Sequence, residues 1–146
     1  MKNVYLDNNA TTQVAPEVIE AMGPFFEQLW GNPSSMHTFG GQVKQHAEHA
    51  REQVAALLGA DPSEIIFTSC GTESDNMAIR GALEAHGGYP HIITTRVEHP
   101  AVLSVCRHLQ NHGYGLTELH IDAKGQLDLD QLKKSLTSDV AIVSIM

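Results

Sequence analysis

Ser69-Cys70-Gly71-Thr72-Glu73-Ser74-Asp75-Asn76 gathers a glycine, several hydroxyls and two acidic residues where an apolar run, Ile65-Ile66-Phe67-Thr68, gives way to helical spacing. Such a junction can cradle a phosphate. Gly71 permits close approach to the backbone, Thr72 offers a hydroxyl, and the free N–H groups and dipole of a helix start favour negative charge. The same residues also allow an ordinary helix start, because Thr72-Glu73-Ser74-Asp75 fits the S/T-x-x-D/E pattern of a capping box. Glu98-His99-Pro100 follows a second apolar run, Ile92-Ile93-Thr94-Thr95, in the same way. An imidazole there can stack on a flat heteroaromatic ring or move a proton near neutral pH, or it can simply open a helix. Neither a P-loop nor a G-x-G-x-x-G fingerprint occurs.

Two further loops, Asp7-Asn8-Asn9-Ala10-Thr11-Thr12 and Asn32-Pro33-Ser34-Ser35-Met36-His37, are rich in small donors and acceptors. Loops of this kind are usually turns, but two so elaborate in a short chain favour the wall of a site. Among the nine histidines, His108 and His112 are spaced i,i+4 and His46 and His49 i,i+3, as on one face of a metal-binding helix. Both pairs fall inside mid-sequence helices, and no acidic general base accompanies His108 and His112. The expectation is no metal site. Cys106, four residues after Val102 and three before Leu109, reads as core.

These residues need elements to hold them. Val4-Tyr5-Leu6 reads as a short strand, and Pro16 as the first turn of a helix carrying Val18, Ile19, Met22, Phe25, Phe26 and Leu29, which Pro24 should kink or end early. Trp30 to Gly41 reads as loop. From about Gln42 to Leu58, Val43, Ala47, Ala50, Val54, Leu57 and Leu58 recur in steps of four and three, and Gly59 supplies a stop. Beyond it strands are expected at 64–68, 91–97, 116–121 and 140–145, with helices from about 73 to 86, from about 100 to 112, and over Leu129, Leu132 and Leu136. Repeated β-α-β predicts an α/β fold in three layers, a mostly parallel sheet with helices on both faces.

The bulk numbers narrow the partners. With 146 residues, 42% hydrophobic and 18% charged, the chain can bury a core. A formal charge of −8, with five Lys and four Arg scattered, argues against nucleic acid. Two cysteines make no disulfide framework, no apolar stretch approaches the ~20 residues of a membrane span, and the first residues do not resemble a secretory signal. A cytoplasmic protein is expected. The last residues, Val140 to Met146, read as a central strand with no following turn, so the chain looks cut.

Four segments in order carry a resemblance: Tyr5 to Thr12, Gly31 to His37, Phe67 to Asp75 and Val97 to Val102. Together they resemble the successive motifs of cysteine desulfurases, over the whole chain, in wording nearer the nitrogen-fixation branch than the housekeeping one. The resemblance implies a pyridoxal 5'-phosphate enzyme of the aspartate-aminotransferase fold, acting as a homodimer. It would convert L-cysteine to L-alanine and pass the sulfur, through an enzyme cysteine persulfide, to an iron–sulfur scaffold protein. By position, Gly71 and Thr72 would bind the cofactor phosphate, and His99 would stack on the pyridine ring and take a catalytic proton-transfer role. Asn8, Asn9 and His37 would wall the substrate pocket. The Schiff-base lysine, the pyridine-nitrogen aspartate and the persulfide cysteine of the family have no counterpart motif here. Residues 1–146 thus read as an N-terminal segment with part of an incomplete large domain, inactive alone. The alternatives are another class V enzyme, such as a selenocysteine lyase, and a non-catalytic module that binds a phosphate-bearing cofactor.

Overall fold

The computed structural model describes residues 4–146, which divide into two compact units after Ile66.

In the first unit, α1 spans Pro16–Glu27 and α2 Thr38–Leu58. Pro16 opens α1 where a missing N–H costs nothing. Pro24 does not end α1: its carbonyl accepts the Gln28 and Leu29 N–H groups, both at 2.8 Å, and closes one further turn. Helix α2 starts at Thr38, earlier than the apolar pattern implies, because His37 caps it: Nδ1 accepts the Gly40 N–H at 3.2 Å. It stops at Gly59, whose φ of 67° is the left-handed conformation a glycine terminator supplies.

The 32–37 loop folds onto this helix start. Asn32 Oδ1 accepts the Ser34 N–H at 2.9 Å, the Asn32 carbonyl accepts the Ser35 N–H, and a Cβ on buried Gly40 would stand 2.4 Å from that carbonyl oxygen. Trp30 and Phe39 meet edge to face nearby, with ring centroids 5.0 Å apart.

The strands expected at 4–6 and 64–68 do not form. Residues 62–64 make a 3-10 turn capped by Asp61, and the Ile65 carbonyl accepts from the Arg51 guanidinium instead of entering a ladder. An apolar run becomes a strand only when a neighbour pairs with it, and none does among the described residues.

The second unit is α/β. Its elements are α3 (Gly71–His86), β1 (His91–Thr95), α4 (Pro100–Gln110), β2 (Gly115–Leu119), α5 (Leu129–Ser135) and β3 (Val140–Val143). The sheet is parallel throughout in the order β2-β1-β3, with Ile92 opposite Leu116 on one side and Ile142 on the other. Ile92, Ile93, Thr94 and Thr95 are all at most 1% exposed, so both faces of β1 are covered. Ile92 joins Ile79 and Leu83 of α3 and Val102, Val105, Cys106 and Leu109 of α4 in one apolar cluster. The chain reverses direction across the sheet, leaving β1 for β2 through α4 and returning past β1 to β3 through α5. With right-handed crossovers, α4 and α5 then take opposite faces, as the three-layer expectation has it. Strands are shorter than the apolar runs: β1 ends at Thr95, β2 at Leu119 and β3 at Val143, where pairing stops.

A methyl group at Gly40 has nowhere to go without moving the Asn32 carbonyl. Gly40→Ala is expected to destabilise the protein by about 1–3 kcal/mol, the usual cost of overpacking, measured as a lowered denaturation midpoint, while Gly41→Ala, facing open space, should be close to neutral.

Candidate functional site

Helix α3 begins at Gly71, with Cys70 in extended conformation as its N-cap. The reciprocal bonds expected around Thr72 and Asp75 are not made. Instead Glu73 Oε2 reaches back to Ser69, accepting its backbone N–H and its hydroxyl, each at 2.6 Å. These two bonds hold the Glu73 carboxyl below the usual carboxylate range, the hydroxyl contributing most. Thr68 and Ser74 hydroxyls pair at 2.6 Å and tie the incoming strand-like segment to the first turn.

The Thr72 hydroxyl therefore takes no part in capping and has no protein partner among the described residues. A Cβ placed on Gly71 would meet nothing within 4 Å. The helix start thus keeps an open glycine and an unspent hydroxyl side by side.

Helix α4 begins in a similar way. Pro100 occupies its first turn, and His99 is its N-cap, with Nδ1 accepting the Ala101 N–H at 3.1 Å. That bond consumes Nδ1 as an acceptor, so the neutral ring carries its proton on Nε2. His99 is exposed.

Asn76 joins the two starts. Its Nδ2 donates to the Thr72 carbonyl at 2.9 Å and to the Ala101 carbonyl at 3.5 Å. Thr72 and His99 consequently line one groove of about 420 Å³ between α3 and α4, with Asn76, Arg80, Ser104 and His108. No carboxylate lines it. Of the expected residues the groove brings together Thr72 and His99, while Gly71 does not line it; Asn76, which the sequence reading did not single out, could have been found from its position four residues after Thr72, where a helical side chain reaches back to a carbonyl.

Asn8, Asn9 and His37 belong to the first unit. There the Asn8 carbonyl accepts the Thr12 hydroxyl at 3.1 Å, and His37 serves as the α2 cap. The histidine pairs bond locally: His112 Nδ1 donates to the His108 carbonyl at 2.7 Å, and His49 lies 3.7 Å from Glu52. No group of three or more His, Cys, Asp or Glu among the described residues could hold a metal ion. No helix of the described residues is long and apolar enough to cross a membrane.

The two cysteines have opposite environments. The Cys70 thiol is exposed and lies below its ordinary value, through the Glu73 N–H first, then the Ser69 hydroxyl and, less, the Thr72 N–H, although the sulfur makes no formal cap bond. Burial pushes the Cys106 thiol up from 9.0 to about 11, helped by the charges of Glu118 and Glu98.

A parallel sheet with helices on both faces, presenting a glycine and hydroxyl at one helix start and a histidine at the next, defines a class of α/β ligand-binding proteins whose sites lie at the carboxyl ends of the strands. The sequence matches the family described as Aminotransferase class-V over residues 4–146, and the chain belongs to that family. It is 62% identical over 146 residues to the cysteine desulfurase of Trichormus azollae, covering all of this chain and 36% of that protein. Against the cysteine desulfurase NifS of Azotobacter vinelandii it is 55% identical over 147 residues, covering 37% of that protein. Among solved structures, a NifS-like protein superposes with a TM-score of 0.91 at 42% identity, over 99% of this chain and 40% of the other. The structure described as SspA in complex with cysteine gives 0.84 at 35% identity, over 93% and 40%. The chain thus spans little more than a third of the length of these relatives.

At neutral pH a water-soluble thiol reagent should label Cys70 in the folded protein and reach Cys106 only on unfolding. Because the folded Cys106 thiol holds its proton more tightly than the unfolded one, its contribution to stability is intact below about pH 9 and is lost as pH rises toward 11. Measured denaturation midpoints should fall across that window, and Cys106→Ala should flatten the fall.

Proposed function

We propose that the chain is the N-terminal part of a pyridoxal 5'-phosphate-dependent cysteine desulfurase, with residues 67–146 contributing half of its cofactor site. The observation that carries this is the pairing of Thr72 and His99 in one groove through Asn76. The names of the relatives support it.

The residues fit a phosphate-bearing cofactor. Gly71 faces open space, the Thr72 hydroxyl is unspent, and the nearby sulfur of Cys70 is a weak acceptor that a phosphate displaces from the backbone N–H groups. When bound, the pyridoxal ring supplies an electron sink for a carbanion at the substrate Cα. Gly71 and Thr72 bind the phosphate, and the α3 dipole adds to the attraction. His99 would stack on the pyridine ring, and Nε2 is the ring atom left to hold or release a proton, since Nδ1 is committed to Ala101. Asn76 holds the two helix starts together, which would fix the spacing of Thr72 and His99 toward the cofactor. L-Cysteine is the substrate: an enzyme cysteine thiolate attacks its sulfur, the S–S bond forms as the substrate Cβ–S bond breaks, the electron pair stays with the carbon fragment, and protonation of that fragment gives alanine. The homodimer and transfer of sulfur to an iron–sulfur scaffold protein belong to the same proposal and rest on the motif resemblance.

That none of Lys44, Lys124, Lys133 and Lys134 lines the groove supports the reading that residues 1–146 carry neither the Schiff-base lysine nor the nucleophilic cysteine; Lys2 lies outside the described residues. Residues 1–146 alone should release no alanine from cysteine.

With pyridoxal phosphate and a dithiol that reduces the enzyme persulfide, the full-length protein should convert L-cysteine to alanine and release the sulfur as sulfide, followed by amino-acid analysis. Thr72→Ala should weaken pyridoxal phosphate binding by about 10-fold or more, as expected for a hydrogen bond to a charged group. His99→Ala should lower kcat by about 10²–10⁴-fold if it moves a proton. Tight cofactor binding with no alanine release would leave a binding module instead, and an equal preference for selenocysteine would point to a lyase of the same family.

A further inference from the structure

We propose that Glu98 is the positioning residue for His99, its buried carboxylate clamping the turn after β1 to the backbone that follows β3. The bearing on His99 chemistry rests on the function proposed above; the clamp itself does not.

Glu98 is 7% exposed, the one carboxylate among the buried polar residues described. A carboxylate out of water is costly unless its oxygens are bonded. Here Oε1 accepts two donors from different segments of the chain: the Thr95 hydroxyl at 2.7 Å and the Met146 N–H at 2.9 Å. The Thr95 oxygen in turn accepts the Val97 N–H at 3.4 Å. The chain from Thr95 to Glu98 is therefore wound around one hydroxyl, and the next residue is His99.

The place of this clamp in the sheet gives it meaning. The order β2-β1-β3, with the connection from β1 leading away toward β2, makes the gap beyond the carboxyl ends of β1 and β3 the point where a ligand enters an open α/β sheet. Strand pairing there stops at Ile93 opposite Val143, supplemented by the Ser144 N–H to the Ile93 carbonyl at 2.9 Å. Beyond it no backbone hydrogen bond joins the two segments among the described residues. Glu98 bridges the opening with a side chain, which sets the His99 backbone against the neighbouring strand while the Nδ1 bond to Ala101 sets its ring.

Positioning by geometry, rather than by charge, makes a specific demand. Only Oε1 is used, so an amide oxygen in its place can accept both bonds, and an amide nitrogen at the other position displaces no protein partner among the described residues. Glutamine should therefore rescue what alanine loses.

The test uses the full-length protein with ¹³C-labelled histidine, the His99 ring signal being assigned by its loss in His99→Gln. Glu98→Ala should move the His99 ring signal and speed hydrogen exchange at the Met146 amide by about tenfold or more, as for loss of a charge-assisted bond. Glu98→Gln should keep the signal in place and the exchange rate within about threefold of wild type. Should Glu98→Ala fail to fold, Thr95→Val carries the test: it keeps the branched shape, removes the hydroxyl between Val97 and Glu98, and should move the His99 signal. Both readouts are independent of cofactor and turnover, so they report on the clamp even if the protein releases no alanine. The proposal is overturned if Glu98→Ala or Thr95→Val leaves the His99 signal unmoved, or if Glu98→Gln matches Glu98→Ala.

Discussion

A strand buried on both faces has no surface left for water, so β1 can exist only between two neighbouring strands and two layers of cover. Ile92 through Thr95 are almost fully enclosed, and the parallel pairing to β2 and β3 follows from that enclosure. Parallel neighbours need crossover connections, which α4 and α5 supply. The apolar seam of α4, Val102, Val105, Cys106 and Leu109, packs with Ile79 and Leu83 of α3 and with Ile92 of the strand. Thr72 and His99 stand at the starts of two of these helices.

With the helices anchored by their apolar faces, their starts are free to carry chemistry. Each solves its local hydrogen bonding without spending the residue a ligand would use. At α3, Ser69 and Glu73 satisfy one another and leave the Thr72 hydroxyl uncommitted. At α4, the His99 ring gives up Nδ1 to Ala101 and keeps Nε2. Asn76 spans the gap between them, and Glu98 braces the far side against the segment after β3. The two polar braces differ in kind: Asn76 touches only backbone carbonyls, whereas Glu98 gathers a hydroxyl and an amide onto one buried oxygen.

Much of this was legible beforehand, and the failures share a cause. The 3.6-residue spacing of α2, α3 and α4 located those helices to within a few residues, because a helix closes its own hydrogen bonds. Strands were over-read: 64–68 is as apolar as 91–95, but β1 found partners and the former did not. The capping box expected around Thr72 does not form, because the helix already begins at Gly71 and Glu73 bonds back to Ser69 instead. His37, read from composition as part of a loop, caps α2, which begins earlier than the apolar spacing implied.

Residue order alone determined the chemical inventory: a glycine and threonine before one helix, a histidine and proline before the next, helical stripes that bury against a sheet, and motifs enough to place the chain in its family. These are local properties, expressed through bonds and spacings a few residues long. Tertiary structure decided what is non-local. It chose which apolar runs became strands, brought Thr72 and His99 to one groove through an asparagine 25 residues from its second acceptor, and set Glu98 against an amide 48 residues away. Such contacts form only when the core has closed, because their partners are far apart along the chain and the enclosure of β1 brings them together.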